Sequence, residues 1–244
     1  MAVEAIQRRW GPKALQKNSR ASKRPALAAI PTGFPELDEA LGIGGIPRGR
    51  ISEMLGSPTS GMTTLALKTV AAGQAQGDMA IYVDLGHTFD PDYAARCGVA
   101  LDDLLLVRPT PSLEALQIVL ELIDSGGAGI LVVDGMTALL MPRALDDQGD
   151  AFLRQLNRAL RDGPCALLFL TSFRIGAKFE RPNQALAPYA ALRLWVEKQR
   201  WLKARQDIQG YEAQVTVLKN RLAPPGRRAK IKIRFDTVVQ GNGT

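Results

Sequence analysis

The chain is poor in the residues that build disulfides and metal centres. Its 244 residues include two cysteines, Cys97 and Cys165, and a single histidine, His87. Two isolated cysteines are too few for a disulfide framework or a zinc site. No apolar run approaches the ~20 residues that span a bilayer, which excludes a membrane-spanning helix and a membrane partner. The N-terminal stretch lacks the apolar core of an export signal, so a reducing, cytoplasmic location is expected. No internal repeat is present, so the chain reads as one sizeable α/β core with small appendages.

Cations are in excess, giving a formal net charge of +7. They crowd both ends. Arg8, Arg9, Lys13, Lys17, Arg20, Lys23 and Arg24 are opposed near the N-terminus only by Glu4. Lys219, Arg221, Arg227, Arg228, Lys230, Lys232 and Arg234 crowd the other end. Such clusters point to an acidic partner, nucleic acid or protein, or serve solubility alone.

Residues 56–64 read Gly56-Ser57-Pro58-Thr59-Ser60-Gly61-Met62-Thr63-Thr64. A phosphate-binding loop requires Gly-x-x-x-x-Gly-Lys-Ser/Thr, and Met62 stands at the lysine position. Backbone amides and a helix N-terminus remain to hold phosphate, whereas the cation is gone. Ile51–Leu55 reads as a strand before the loop and Leu65–Ala75 as a helix after it, the context the motif requires. Thr63 keeps the hydroxyl that would hold Mg²⁺, and Asp134 ends an apolar strand where the Mg²⁺-associated acid belongs. Asp134 also suits a cap for the next segment. Lys68, further along the helix, is a candidate compensating cation. A nucleotide-hydrolase fold that no longer hydrolyses nucleotide is expected, with no cofactor or only weak ATP and Mg²⁺ binding.

Met79–Asp84, Leu104–Val107, Ile130–Asp134 and Cys165–Leu170 read as strands. Helices at 90–96, at 112 onward with Ser112 as N-cap, and at 151–161 alternate with them. That alternation predicts a mostly parallel, twisted sheet with helices on both faces. From Leu192 onward the apolar period falls to two, which predicts antiparallel C-terminal strands extending the sheet. Lys230, Lys232 and Arg234 then share the solvent face of the last strand, as a row of cations or as edge protection. Three units are expected: a helix over 1–12 with Ile6 and Trp10 on one side, a basic linker over 13–28, and a core over 29–244.

Gly33–Leu41, the strand before the loop, Asp84–Ala95, Ile130–Leu139 and Val215–Pro225 together resemble the bacterial RecA recombinase family. The resemblance implies a RecA-like P-loop NTPase core and carries roles onto matching positions. Asp84-Leu85-Gly86-His87 matches an Asp-x-Glu-His motif whose glutamate activates the hydrolytic water, so Gly86 marks a lost base. His87 is read as structural. Ser172 matches the glutamine that senses the γ-phosphate. The segments matching two DNA-lining loops, about 141–150 and 174–188, are shortened, and no RecA-type C-terminal domain is expected. Ala5–Gly11 resembles the helix through which such proteins dock on a neighbour, with Ile6 and Trp10 as anchors. Folding back on the chain's own core is the other reading of that helix. Lys219-Asn220-Arg221 resembles a segment that reaches the neighbour's nucleotide.

Lost catalytic groups beside retained assembly segments are similar to the ImuA accessory proteins of bacterial mutagenesis cassettes. The resemblance thus implies a non-enzymatic accessory protein of the DNA-damage (SOS) response. Its expected partners are a RecA-like filament, a translesion polymerase complex, single-stranded DNA without sequence preference, and itself. The alternatives are an active DNA-dependent ATPase and recombinase, or a RecA-like regulator unrelated to DNA.

Overall fold

A computed structural model describes residues 28–110, 113–135, 147–161, 163–172, 186–204 and 207–235. Ile6, Trp10, the segment over 1–12, the linker to residue 27, Ser112 and most of both shortened loops lie outside these residues.

Two short strands, β1 (Ala29–Ile30) and β2 (Ile46–Pro47), pair with each other around helix α1 (Pro35–Leu41). The core strands are β3 (Arg50–Gly56), β4 (Met79–Asp84), β5 (Leu104–Val107), β6 (Ala128–Asp134) and β7 (Ala166–Ser172). The C-terminal strands are β8 (Leu192–Ala204), β9 (Asp207–Asn220) and β10 (Arg228–Arg234). Between them run α2 (Met62–Gln74), α3 (Pro91–Arg96), α4 (Leu113–Asp124) and α5 (Asp147–Ala159). Eight strands form one sheet in the order β10-β9-β8-β3-β7-β6-β4-β5. Strands β3 to β7 pair in parallel, and β9 and β10 are antiparallel additions.

The fold class is as the sequence patterns dictate, an α/β core with a mostly parallel sheet and antiparallel C-terminal strands. One refinement concerns β8. Its period-two pattern reads as antiparallel, yet it is parallel to β3 and antiparallel only to β9. Half-exposure of β8 at the sheet's uncovered side produces the alternation, whatever the direction of its partner.

Side chains alternate between two cores. Tyr82, Val132, Leu168 and Met54 join α1, α2 and α3 on one face. Ile81, Val83, Leu131 and Phe169 join α4 and α5 on the other. Parallel strands buried on both faces favour apolar residues at successive positions, which explains the unbroken run Ile130–Val133. β10 lies at the sheet edge. Ala229, Ile231 and Ile233 are buried, while Lys230, Lys232 and Arg234 are exposed, as their alternation requires. Among the described residues no helix is long and apolar enough to cross a membrane.

Candidate phosphate-binding site

The glycine-rich loop sits where β3 passes into α2. Both glycines are fixed by space. A Cβ on Gly56 would lie 2.6 Å from the Ser60 hydroxyl oxygen and from the Val196 carbonyl oxygen. A Cβ on Gly61 would lie 2.9 Å from the Tyr211 hydroxyl oxygen and from Ile233 Cδ1. Gly61 also has φ +103°, a conformation that side chains disfavour. It caps α2 without any side-chain hydrogen bond to the first-turn amides. The helix therefore presents amide donors and the positive end of its dipole, the arrangement that receives an oxyanion.

Helix α2 begins at Met62, three residues earlier than its apolar pattern indicates, because Gly61 turns directly into the first turn. Met62 is 7% exposed and belongs to the core cluster containing Leu65, Tyr211 and Ile233. The side chain at the lysine position therefore contributes apolar packing. Thr63 is exposed in the first turn. Thr64 is buried, with its hydroxyl 2.6 Å from that of Tyr93. Burial pushes the nearby Tyr211 hydroxyl up to about 12, so it stays protonated. Lys68 does not take over the missing charge. It lies six residues beyond Met62, about 9 Å along the helix axis. Its aliphatic stem packs against Gly33. Desolvation lowers its pKa.

Asp84 and Asp134 are register partners at the ends of adjacent parallel strands. Asp84 is fully buried and accepts the amides of Thr88 and Phe89, each at 3.0 Å, with Arg108 Nε at 3.2 Å. It shapes the turn that carries Gly86 and His87. His87 has φ 52° and is exposed. A Cβ on Gly86 would come no nearer than 3.5 Å to Thr88, so the turn has room for an acidic side chain. Packing therefore does not impose glycine at position 86. Asp134 accepts a 2.7 Å hydrogen bond from the Tyr82 hydroxyl. Burial raises its pKa, and Asp84 adds to the rise. Ser172 ends β7 directly beside Gly56.

A buried charge beside the loop has no counterpart in the sequence reading. Glu53 on β3 is fully buried. Thr171 donates to one carboxylate oxygen at 3.1 Å and Arg193 Nε to the other at 2.6 Å. A second Arg193 nitrogen is buried without a partner. The available signal is a lone carboxylate within the stretch Ile51–Gly56, which carries no other charge.

The C-terminal cations divide into two groups. Lys219 Nζ donates to the Ala187 carbonyl, and Arg221 donates to that of Pro188 at 2.7 Å. Between them Asn220 donates to the Leu41 carbonyl at 3.0 Å. This segment is tied to its own chain, whereas Lys230, Lys232 and Arg234 point to solvent. Beside the loop, Trp201, Tyr211 and Phe235 form an aromatic group with ring centroids 5.8–6.4 Å apart, and Lys198 lies over the Trp201 ring. Among the described residues no group of three or more His, Cys, Asp or Glu side chains is placed to hold a metal. Thr63 and Asp134 instead suit a cation delivered with its own phosphate ligands, and the uncapped amides that follow Gly61 suit such phosphates.

Comparison with known proteins places this geometry. The family model for the RecA N-terminal domain matches residues 1–240. Protein RecA of Herpetosiphon aurantiacus is 39% identical, with 99% of this chain and 72% of that protein covered. Protein RecA of Chloroflexus aurantiacus is 40% identical, covering 98% and 73%. Protein RecA of Geobacter sulfurreducens is 36% identical, covering 100% and 78%. These relatives overturn the expectation of a non-enzyme. They carry the name of the recombinase whose ATP hydrolysis the motif resemblance had already introduced, and the likeness runs along nearly the whole chain. Nothing in them points to the narrower ImuA group. From its first residue to residue 240, and in its sheet, its loop and its closing antiparallel strands, this chain belongs to the RecA family.

Proposed function

We propose that this chain is a DNA-dependent ATPase of the recombination and repair kind that works in a filament. The observation that carries the reading is the cradle between Gly56 and Gly61, closed to any Cβ and backed by uncapped first-turn amides. ATP phosphates would lie on those amides, with the Thr63 hydroxyl and Asp134 holding Mg²⁺. The bound ion would neutralise phosphate charge during phosphoryl transfer. Gly86 supplies no carboxylate to orient water and Met62 no cation, so turnover slower than in relatives with both groups is expected. The test is steady-state ATP hydrolysis with and without single-stranded DNA. Slow hydrolysis that rises with DNA supports the reading. Hydrolysis indistinguishable from a Thr63→Ala, Asp134→Asn double variant under both conditions sinks it.

Lys230, Lys232 and Arg234 are the side chains proposed to meet DNA phosphate. Alternate residues on a strand place them about 6.7 Å apart on one open face. Each phosphate contact releases a counterion, so binding should weaken steeply with salt. Replacing Lys230 and Lys232 by alanine should weaken binding equally across sequences and lower the salt slope by about one to two. If the slope is unchanged and the variant aggregates instead, the row only protects the β10 edge.

A second reading is favoured by Met62, Gly86 and Ser172 together, three departures in one site. In it the chain assists a RecA filament or a translesion polymerase complex during SOS mutagenesis. Recovery of such a polymerase with the tagged chain from damaged cells, lost when residues 1–12 are deleted, would favour it over the first reading.

A further inference from the structure

Asp134 is the only acid proposed above to hold the nucleotide's cation, and it does not stand alone. Its neighbour on β4 is Tyr82, whose ring is fully buried and packs against Phe89 with centroids 4.9 Å apart. Phenylalanine would fill the same ring volume. What tyrosine adds is one hydroxyl, and that hydroxyl donates to Asp134 Oδ2 at 2.7 Å. A buried hydroxyl needs a partner, and a carboxylate is the strongest acceptor within reach.

The register explains why the carboxylate needs holding. Asp84 and Asp134 face each other across adjacent parallel strands. Asp84 is already committed to Arg108 and to the amides of Thr88 and Phe89. Tyr82 and Val132 belong to the core on the α2 side, and Asp134 follows Val132 by two residues on β6. Asp134 therefore emerges on the loop's face of the sheet, beside a like charge that would push it aside. Resting on the proposed nucleotide reading, we infer that Tyr82 is a positioning residue that fixes the Asp134 carboxylate for the divalent cation arriving with the nucleotide. Outer-shell hydrogen bonds of this kind set ligand orientation, and their loss commonly weakens metal binding 10–100-fold.

The experiment compares the full chain with its Tyr82→Phe variant by calorimetry, using ADP with and without Mg²⁺. In Tyr82→Phe the gain in ADP affinity on adding Mg²⁺ should shrink about 10-fold or more. Its Mg²⁺-free ADP affinity should stay within twofold of the parent, while its melting temperature falls by several degrees for the one lost hydrogen bond to a carboxylate. An unchanged Mg²⁺ gain overturns the inference and leaves Tyr82 a core residue. So does a larger gain, which would mean that the hydroxyl competes with the cation. An equal loss with and without Mg²⁺ also overturns it, since that marks a general packing defect. If the parent chain binds no ADP under either condition, the nucleotide reading falls and this inference with it.

Discussion

Arg193→Met is expected to cost about 3–5 kcal/mol near neutral pH, the usual penalty for stranding one member of a buried ion pair. Among the described residues Arg193 is the only cation hydrogen-bonded to Glu53, which is fully buried on the strand leading into the loop. Thr171 alone would remain, and a neutral hydroxyl does not offset an enclosed carboxylate. At roughly 2–4 °C per kcal/mol for a domain of this size, the melting temperature should fall by about 6–20 °C. The pH dependence gives an independent check. Burial already raises the Glu53 pKa, against the opposing pull of Arg193. A carboxyl whose folded pKa exceeds its unfolded value favours the fold when protonated. That contribution is complete below the unfolded pKa and is lost as pH rises through the folded one. Removing Arg193 raises the folded pKa further, so the variant should recover part of its deficit as pH falls toward 5. Denaturant unfolding at several pH values measures this. A penalty below about 1 kcal/mol, or one independent of pH, would show that the pair is solvated or that Glu53 is already neutral. Adding Glu53→Leu should restore much of the loss, because an apolar pair replaces the ionic one at little net cost.

Met62→Lys is the second change with a large expected effect, and its sign differs between the free and liganded states. Without ligand, an ammonium at a site 7% exposed among Leu65, Tyr211 and Ile233 is unfavourable, and the variant should melt earlier. With ATP bound, the same ammonium finds phosphate oxygens, and the stability order should reverse. On the proposed function, kcat/KM for ATP should rise by on the order of 10²–10³, the usual worth of one preorganised electrostatic donor. The opposing constraint is Gly86, which still supplies no carboxylate, so turnover should not reach that of relatives with both groups. Melting curves with and without ATP, beside steady-state rates, separate the two effects. A variant that melts earlier in both states and hydrolyses no faster would show that the loop does not direct position 62 toward phosphate.

Several features were determined by local sequence. Unbroken apolar runs such as Ile130–Val133, short, rich in β-branched residues and bounded by glycine, read as strands covered on both faces, and their alternation with helical segments points to the parallel sheet. The spacing of Gly56 and Gly61 between a strand and a helix defines the loop, because only glycine tolerates the φ of Gly61 and the crowding at both positions. Period two over Lys230–Arg234 separates cations from core without reference to any partner. Each of these rests on contacts within a few residues or on a repeating face, which a sequence displays directly.

Tertiary structure decided the rest. The methionine at position 62 reads as a lost charge, and packing made it part of the core. Lys68 reads as a spare cation, and the axis of α2 carried it away from the loop. In sequence Lys219 and Arg221 are two cations without visible partners, and the fold brings them against the carbonyls of Ala187 and Pro188. Glu53 and Arg193 stand 140 residues apart, and Tyr82 and Asp134 stand 52 apart. No local pattern joins such pairs, because their energy comes from being brought together in a dehydrated interior, where an unpaired polar group is costly and a paired one holds its neighbour in place.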